Sequence, residues 1–176
     1  MKAGGLLPYH DAKPVGAADF YFVIQATFAF VQARLGEDGL RRYWAAHGRE
    51  YMRPVWERWR DGGLPAVATY WRAFFAAEPG ADVEVREEEG RVVLEVKRCP
   101  ALAHLKAHRR EILPVFCQHC YFVSDAAAER AGLAARVCGG DGACVQTFLP
   151  RADAPPQDLA RIATVSATED GEGAAR

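Results

Sequence analysis

The stretch DVEVREEEGRVVLEVK, Asp82–Lys97, decides the fold of this chain. Apolar and charged residues alternate on both sides of a Glu-Gly step, so Val83, Val85, Val92, Leu94 and Val96 share one face of a two-stranded hairpin. A period of two excludes a helix here, because an apolar stripe on a helix returns every three to four residues. The charged run REEE is then the solvated tip of the hairpin.

Upstream the period is helical. From Ala17 to Leu35 the residues Phe20, Val23, Ile24, Phe28, Val31 and Leu35 recur at three- and four-residue steps, and Gly36 stops them. Glu37 to Arg60 resumes the pattern through Leu40, Trp44, Val55, Trp56 and Trp59, with a kink or break expected between Gly48 and Pro54. A third helix spans Leu64–Ala77, with Pro65 in its first turn.

Downstream, RCPALAHLKAHRREIL sets Pro100 at the start of a helix, and VFCQHCYFVSDAAAERAG reads as a longer helix ending at Gly132. LAARVCGGDGACVQTFLP then returns as a second hairpin. The expected class is α+β: N-terminal helices followed by a small antiparallel sheet from two hairpins with a helix pair between them, and helices on one face. Residues 1–150 read as a single domain, with a helical part over 17–78 and a cysteine-bearing ββααββ part over 82–149. Residues 151–176, rich in proline, alanine and acids, read as a short helix and then a tail.

The chain has 176 residues, half of them hydrophobic, which is enough for one core. A formal charge of -1 offers no field for nucleic acid or an anionic membrane. The most apolar run, FYFVIQATFAFV, is too short to span a bilayer, and MKAGGLLPYHDAKPVG contains no apolar export segment. A cytoplasmic protein is expected, with thiols kept reduced and an odd total of five cysteines that argues against a closed disulfide set.

Four of those five thiols gather in two short segments, FCQHC and VCGGDGAC. If GGDGA forms a five-residue turn, Cys138 and Cys144 are a cross-strand pair on one face, with Leu133, Val137, Val145 and Leu149 on the other. Cys117 and Cys120 lie three apart, a spacing that turns both side chains one way on a helix, and His119 adds a nitrogen. Cys117, Cys120, Cys138 and Cys144 are therefore the candidate metal ligands, with zinc the expected ion.

Cys99 falls at a strand-to-helix junction, where free helical N–H groups, Lys97 and Arg98 would favour its thiolate. It joins Cys117 as a candidate nucleophile, with His119 and Asp141 as proton carriers. An ordinary buried cysteine is the competing reading of Cys99. His104 and His108, one turn apart among basic residues, read as a solvated helix face, and His47 as a core histidine. Trp44, Trp56, Trp59 and Trp71 are core, or the lining of an aromatic pocket. The chain has no strand-to-helix phosphate loop, GxSxG or HExxH, so nucleotide binding, serine hydrolysis and zincin chemistry lack support.

The succession VKRCPALAHL, FCQHCYFVSDAAAERAG and GGDGACVQTF resembles the L-2-amino-thiazoline-4-carboxylic acid hydrolase family, with Cys99, Cys117, Gly140, Cys144 and Phe148 at matching positions. The likeness covers Val83 to Leu149. Cys120 stands where that family tends to carry an acid, and Cys138 is additional. The closing strand also looks like the related 4-vinyl reductase domain, which would imply zinc on Cys117 or Cys120 with Cys138 and Cys144.

Two functions follow. The first is a hydrolase opening a cyclic C=N bond of a small heterocyclic or amidine-type substrate through a cysteine thiolate or a metal-bound hydroxide. The second is a non-catalytic zinc-containing module that binds a small ligand, for which closed four-ligand coordination would speak. Either reading takes a small molecule as partner, without nucleic acid or membrane, and both are compatible with a homo-oligomer.

Overall fold

The computed structural model describes residues 17–166. The start read as free of an export segment and the chain beyond residue 166 lie outside them. The α+β class expected from the sequence is the class adopted, in the order α1 (Phe20–Ala46), α2 (Arg53–Ala77), β1 (Asp82–Glu88), β2 (Arg91–Arg98), α3 (Pro100–Ala107), α4 (Gln118–Glu129), β3 (Leu133–Gly140), β4 (Ala143–Pro150) and β5 (Ile162–Ala163).

The helical breaks lie where the residues demand them. Gly36 interrupts α1 with φ 67° and Gly63 interrupts α2 with φ 62°, one step before Leu64 and Pro65 resume the helix. Between α1 and α2 the chain widens into a π-helical turn, His47–Tyr51, before Pro54. Gly48 allows it. A β-carbon there would lie 2.2 Å from the Val123 carbonyl of α4, so only glycine lets the two helices approach so closely. The Trp56 indole N–H donates to the Arg49 carbonyl at 2.8 Å, holding the widened turn against α2.

The five strands form one sheet in the order β1-β2-β4-β3-β5, antiparallel except for β5 on β3. Val83, Val85, Val92, Leu94 and Val96 share the inner face as their alternation requires. Val83, Val85, Val92 and Leu94 meet Phe148, Leu133 and Ala135 from the second hairpin and Trp56, Trp59, Val67 and Trp71 from α2. Val92, Leu94, Trp59 and Phe148 are fully buried, each contributing about 1.5–3 kcal/mol of transfer free energy. A second apolar cluster joins α1, α3 and the turn leading into α4 through Phe28, Leu40, Trp44, Leu102, Leu105 and Phe116. The outer face of the first hairpin is ionic, with Arg86 on Glu95 at 2.6 Å and Lys97 on Glu84 at 3.1 Å.

The segment read as a tail from Arg151 differs from that reading. Residues 151–166 run back along the sheet, Ile162 and Ala163 pair with Gly139 and Gly140, and the Val165 N–H donates to the Pro114 carbonyl at 2.9 Å. Ile162 and Val165 are buried, and these two side chains anchor a segment whose composition alone looks like linker. Among the described residues no helix is long and apolar enough to cross a membrane.

Candidate functional site

Three segments that end at the same side of the sheet bring the thiols together. Cys99 follows the end of β2 and caps α3 ahead of Pro100, and its N–H donates to the Gly142 carbonyl at 2.8 Å, tying the start of α3 to the tip of the second hairpin. Cys117 and Cys120 bracket the first turn of α4, where their three-residue spacing points both inward. Cys144 lies on β4 opposite Gly139 and faces the helices. Cys99, Cys117, Cys120, Cys144 and His119 line a single narrow cavity, walled on the hairpin side by Gly139, Gly140 and Gly142. Its volume of about 20 Å³ admits one water-sized occupant.

Burial controls the protonation of these groups. It pushes the Cys99 thiol up to about 11, against the pull of the Leu102 and Ala101 N–H groups at the head of α3. Cys117 and Cys120 are pushed up to about 12 for the same reason, and Cys144 is raised as well. The expected activation of Cys99 is thus reversed. Desolvation exceeds the help of the helix terminus, and the strand sends Lys97 outward to Glu84.

The sulfurs nevertheless face N–H donors. The Asp141 N–H donates to Cys117 Sγ at 3.3 Å and the Gln146 side-chain amide to Cys144 Sγ at 3.9 Å. His119 Nδ1 donates to the Phe116 carbonyl at 2.5 Å, which fixes the tautomer and leaves Nε2 as an acceptor 3.6 Å from Cys120 Sγ. Burial lowers the His119 pKa, so the ring is neutral. Among the described residues no three His, Cys, Asp or Glu side chains stand at metal-ligating spacing.

Two sequence-predicted site residues lie elsewhere. The second hairpin turns on two residues, Asp141 and Gly142, with φ 52° and 116°, and not on five. The register therefore sets Cys138 opposite Val145 on the outer face, where its sulfur is exposed and accepts from Arg161 Nη2 at 3.5 Å. Cys138 and Cys144 point to opposite sides of the sheet, and Cys99 takes the place expected for Cys138. The Asp141 carboxylate turns away from the cavity and is held by Lys106 Nζ at 2.6 Å and Ser166 Oγ at 2.7 Å. The Lys106 ammonium keeps it below the usual carboxylate range, so it serves the turn as a fixed anion.

The sequence reading did not single out Tyr21, Glu78, Lys106 or Gln146. Tyr21 donates to Glu78 at 2.6 Å, across 57 residues, and its raised pKa owes most to burial and to Glu78, with smaller contributions from Cys99 and Cys120. Gln146 is buried beside Cys144, and its side-chain oxygen has no partner among the described residues. Only the parity of β4, which places Gln146 on the same face as Cys144 and Phe148, could have pointed to it. Comparison with protein-family models, with curated proteins and with solved structures found no match.

Proposed function

We propose that this chain is a thiolate–metal protein in which Cys99, Cys117, Cys120 and Cys144 hold one zinc ion, a non-catalytic zinc module like that implied by the 4-vinyl reductase resemblance but with Cys99 in place of the Cys138 which that resemblance implies. The observation that carries this reading is the convergence of four sulfurs, from three separate segments, on a space for one water-sized occupant. Four sulfur donors suit tetrahedral zinc, and a space of about 20 Å³ favours a single ion over a multinuclear iron–sulfur cluster. The four sulfurs do not stand at ligating spacing, so Zn–S distances of about 2.3 Å require the side chains and the segments that carry them to close in on the ion. A bound ion would supply a cross-link between the heads of α3 and α4 and strand β4.

The donors around the sulfurs support the same reading. N–H groups aimed at Cys117 and Cys144 stabilise sulfur as an acceptor, the role it has when deprotonated. The His119 Nδ1 bond to a backbone carbonyl is the arrangement that orients an imidazole for ligation, which makes His119 the reserve donor if one thiol stays protonated. The hydrolase reading retains one supporting observation, the neutral His119 Nε2 beside the Cys120 thiol. A cavity of this size does not admit a heterocycle without opening.

Metal analysis of the full chain, purified without chelator, tests the proposal. One zinc per chain is expected, reduced to trace by Cys120→Ser and unchanged by Cys138→Ser. Metal-free protein that stays empty under a stoichiometric supply of zinc would reject it. A Cys120 thiol alkylated faster than the others would then favour the hydrolase reading.

A further inference from the structure

We infer that the groove between α1 and the loop joining α3 to α4 binds a free aromatic α-amino acid whose ring carries a hydrogen-bond donor, such as tryptophan or tyrosine. This inference does not depend on the metal site. The groove has a volume of about 470 Å³, within the range of small-molecule sites. Its walls are apolar, formed by Phe22, Val23, Ala26 and Ala29 of α1 with Leu105 and Leu113 opposite.

Three polar residues lie among them, and none has a charged partner among the described residues. Gln25 lines the groove although the residue is only 6% exposed, and its Oε1 has no hydrogen-bond partner among the described residues. A buried amide oxygen left unpaired costs about 1–3 kcal/mol, which a ligand N–H or O–H would offset after rotation of the terminal amide. Arg110 rests on the Phe22 ring with its guanidinium carbon 4.3 Å from the centroid, so it is held in place while its N–H donors meet no acid among the described residues. Glu111 follows it at the rim.

An adjacent cation and anion at the mouth of an apolar groove match the carboxylate and ammonium that an α-amino acid carries on one carbon. A simple fatty or aryl carboxylate would leave Glu111 opposed to its charge. A ligand without a ring donor would leave Gln25 unpaired, which a site built to hydrogen-bond discriminates against.

Calorimetric titration of the full chain with L-tryptophan tests the inference against three analogues: indole-3-propionate, which lacks the ammonium, tryptamine, which lacks the carboxylate, and phenylalanine, which lacks the ring donor. Tryptophan is expected to bind, and each analogue about tenfold or more weakly, since each leaves one charged or buried group unpaired. Arg110→Met should erase the preference for tryptophan over tryptamine, and Glu111→Gln the preference over indole-3-propionate. Ala26→Phe, at an exposed position that fills the groove, should abolish binding while circular dichroism stays unchanged. Absence of heat with millimolar tryptophan, undiminished binding to Ala26→Phe, or preferences that survive both charge substitutions would each overturn it.

Discussion

The backbone N–H of Asp141 donates to the sulfur of Cys117 at 3.3 Å, joining the tip of the second hairpin to the head of α4. The contact depends on the Asp141 backbone at φ 52°, a left-handed conformation that aspartate tolerates better than most residues. The same turn accepts the Cys99 N–H at the Gly142 carbonyl, so one two-residue turn orders two of the four clustered thiols. The register it sets also removes Cys138 from the cluster.

That separation predicts thiol reactivity. In native, metal-free protein at neutral pH, Ellman's reagent should titrate one thiol quickly, Cys138, and the remaining four far more slowly until the protein is denatured, because the clustered thiols are half-buried and protonated. Cys138→Ser should remove the fast phase. Rapid reaction of all five would mean that the cavity does not form.

The raised thiol pKa values make stability depend on pH with a definite sign. A thiol whose folded pKa lies above its unfolded value of about 9 holds its proton more tightly when folded. Its contribution is complete below pH 9 and declines as pH rises toward about 11 for Cys99 and about 12 for Cys117 and Cys120. Metal-free protein should therefore lose stability steeply between pH 9 and 11 in urea denaturation, and Cys99→Ala should make that loss shallower. A flat profile would show that the thiols are solvated.

Gly48→Ala should destabilise the fold, because the added β-carbon meets the Val123 carbonyl at 2.2 Å and this backbone atom cannot move aside without shifting α4. A loss of about 1–3 kcal/mol is expected, seen as a fall in Tm of about 5 °C. Gly80→Ala, where a β-carbon has open space but φ is 76°, controls for backbone strain alone. Equal losses at the two positions would remove the packing explanation.

Much of the fold was legible because its signals are local. The period of two over Asp82–Lys97 and the breaks at Gly36 and between Gly48 and Pro54 needed no tertiary context. The second hairpin misled because four aliphatic side chains could be placed together only by a five-residue turn, whereas the Asp-Gly step is itself the signature of a two-residue turn. Turn chemistry prevailed, and Val145 is 40% exposed as a result. The chemistry of Cys99 was misjudged for another reason. Neighbouring charges can be read from sequence, but the burial that outweighs them is fixed by α1 and α4, far away in the chain. The Tyr21–Glu78 bond, across 57 residues, left no sequence signal at all.

If the cluster holds zinc, the Asp141 turn should govern how fast the ion leaves. The turn and its flanking glycines form the hairpin-side wall of the cavity, and Asp141 is fastened at both ends, by its N–H on Cys117 and by its carboxylate on Lys106 and Ser166. Asp141→Asn keeps the tolerance for a left-handed backbone but gives up the ion pair with Lys106, and Ser166→Ala releases the segment after β5 from the turn. Neither change touches a sulfur. Zinc stoichiometry should stay at one per chain in both variants, while the rate of transfer to a chromogenic chelator rises about three- to tenfold, more in Asp141→Asn because a charged contact is lost. Unchanged transfer rates in both would place the exit route elsewhere, and a fall in stoichiometry would mean that the Asp141 carboxylate helps hold the ion and not merely the wall beside it.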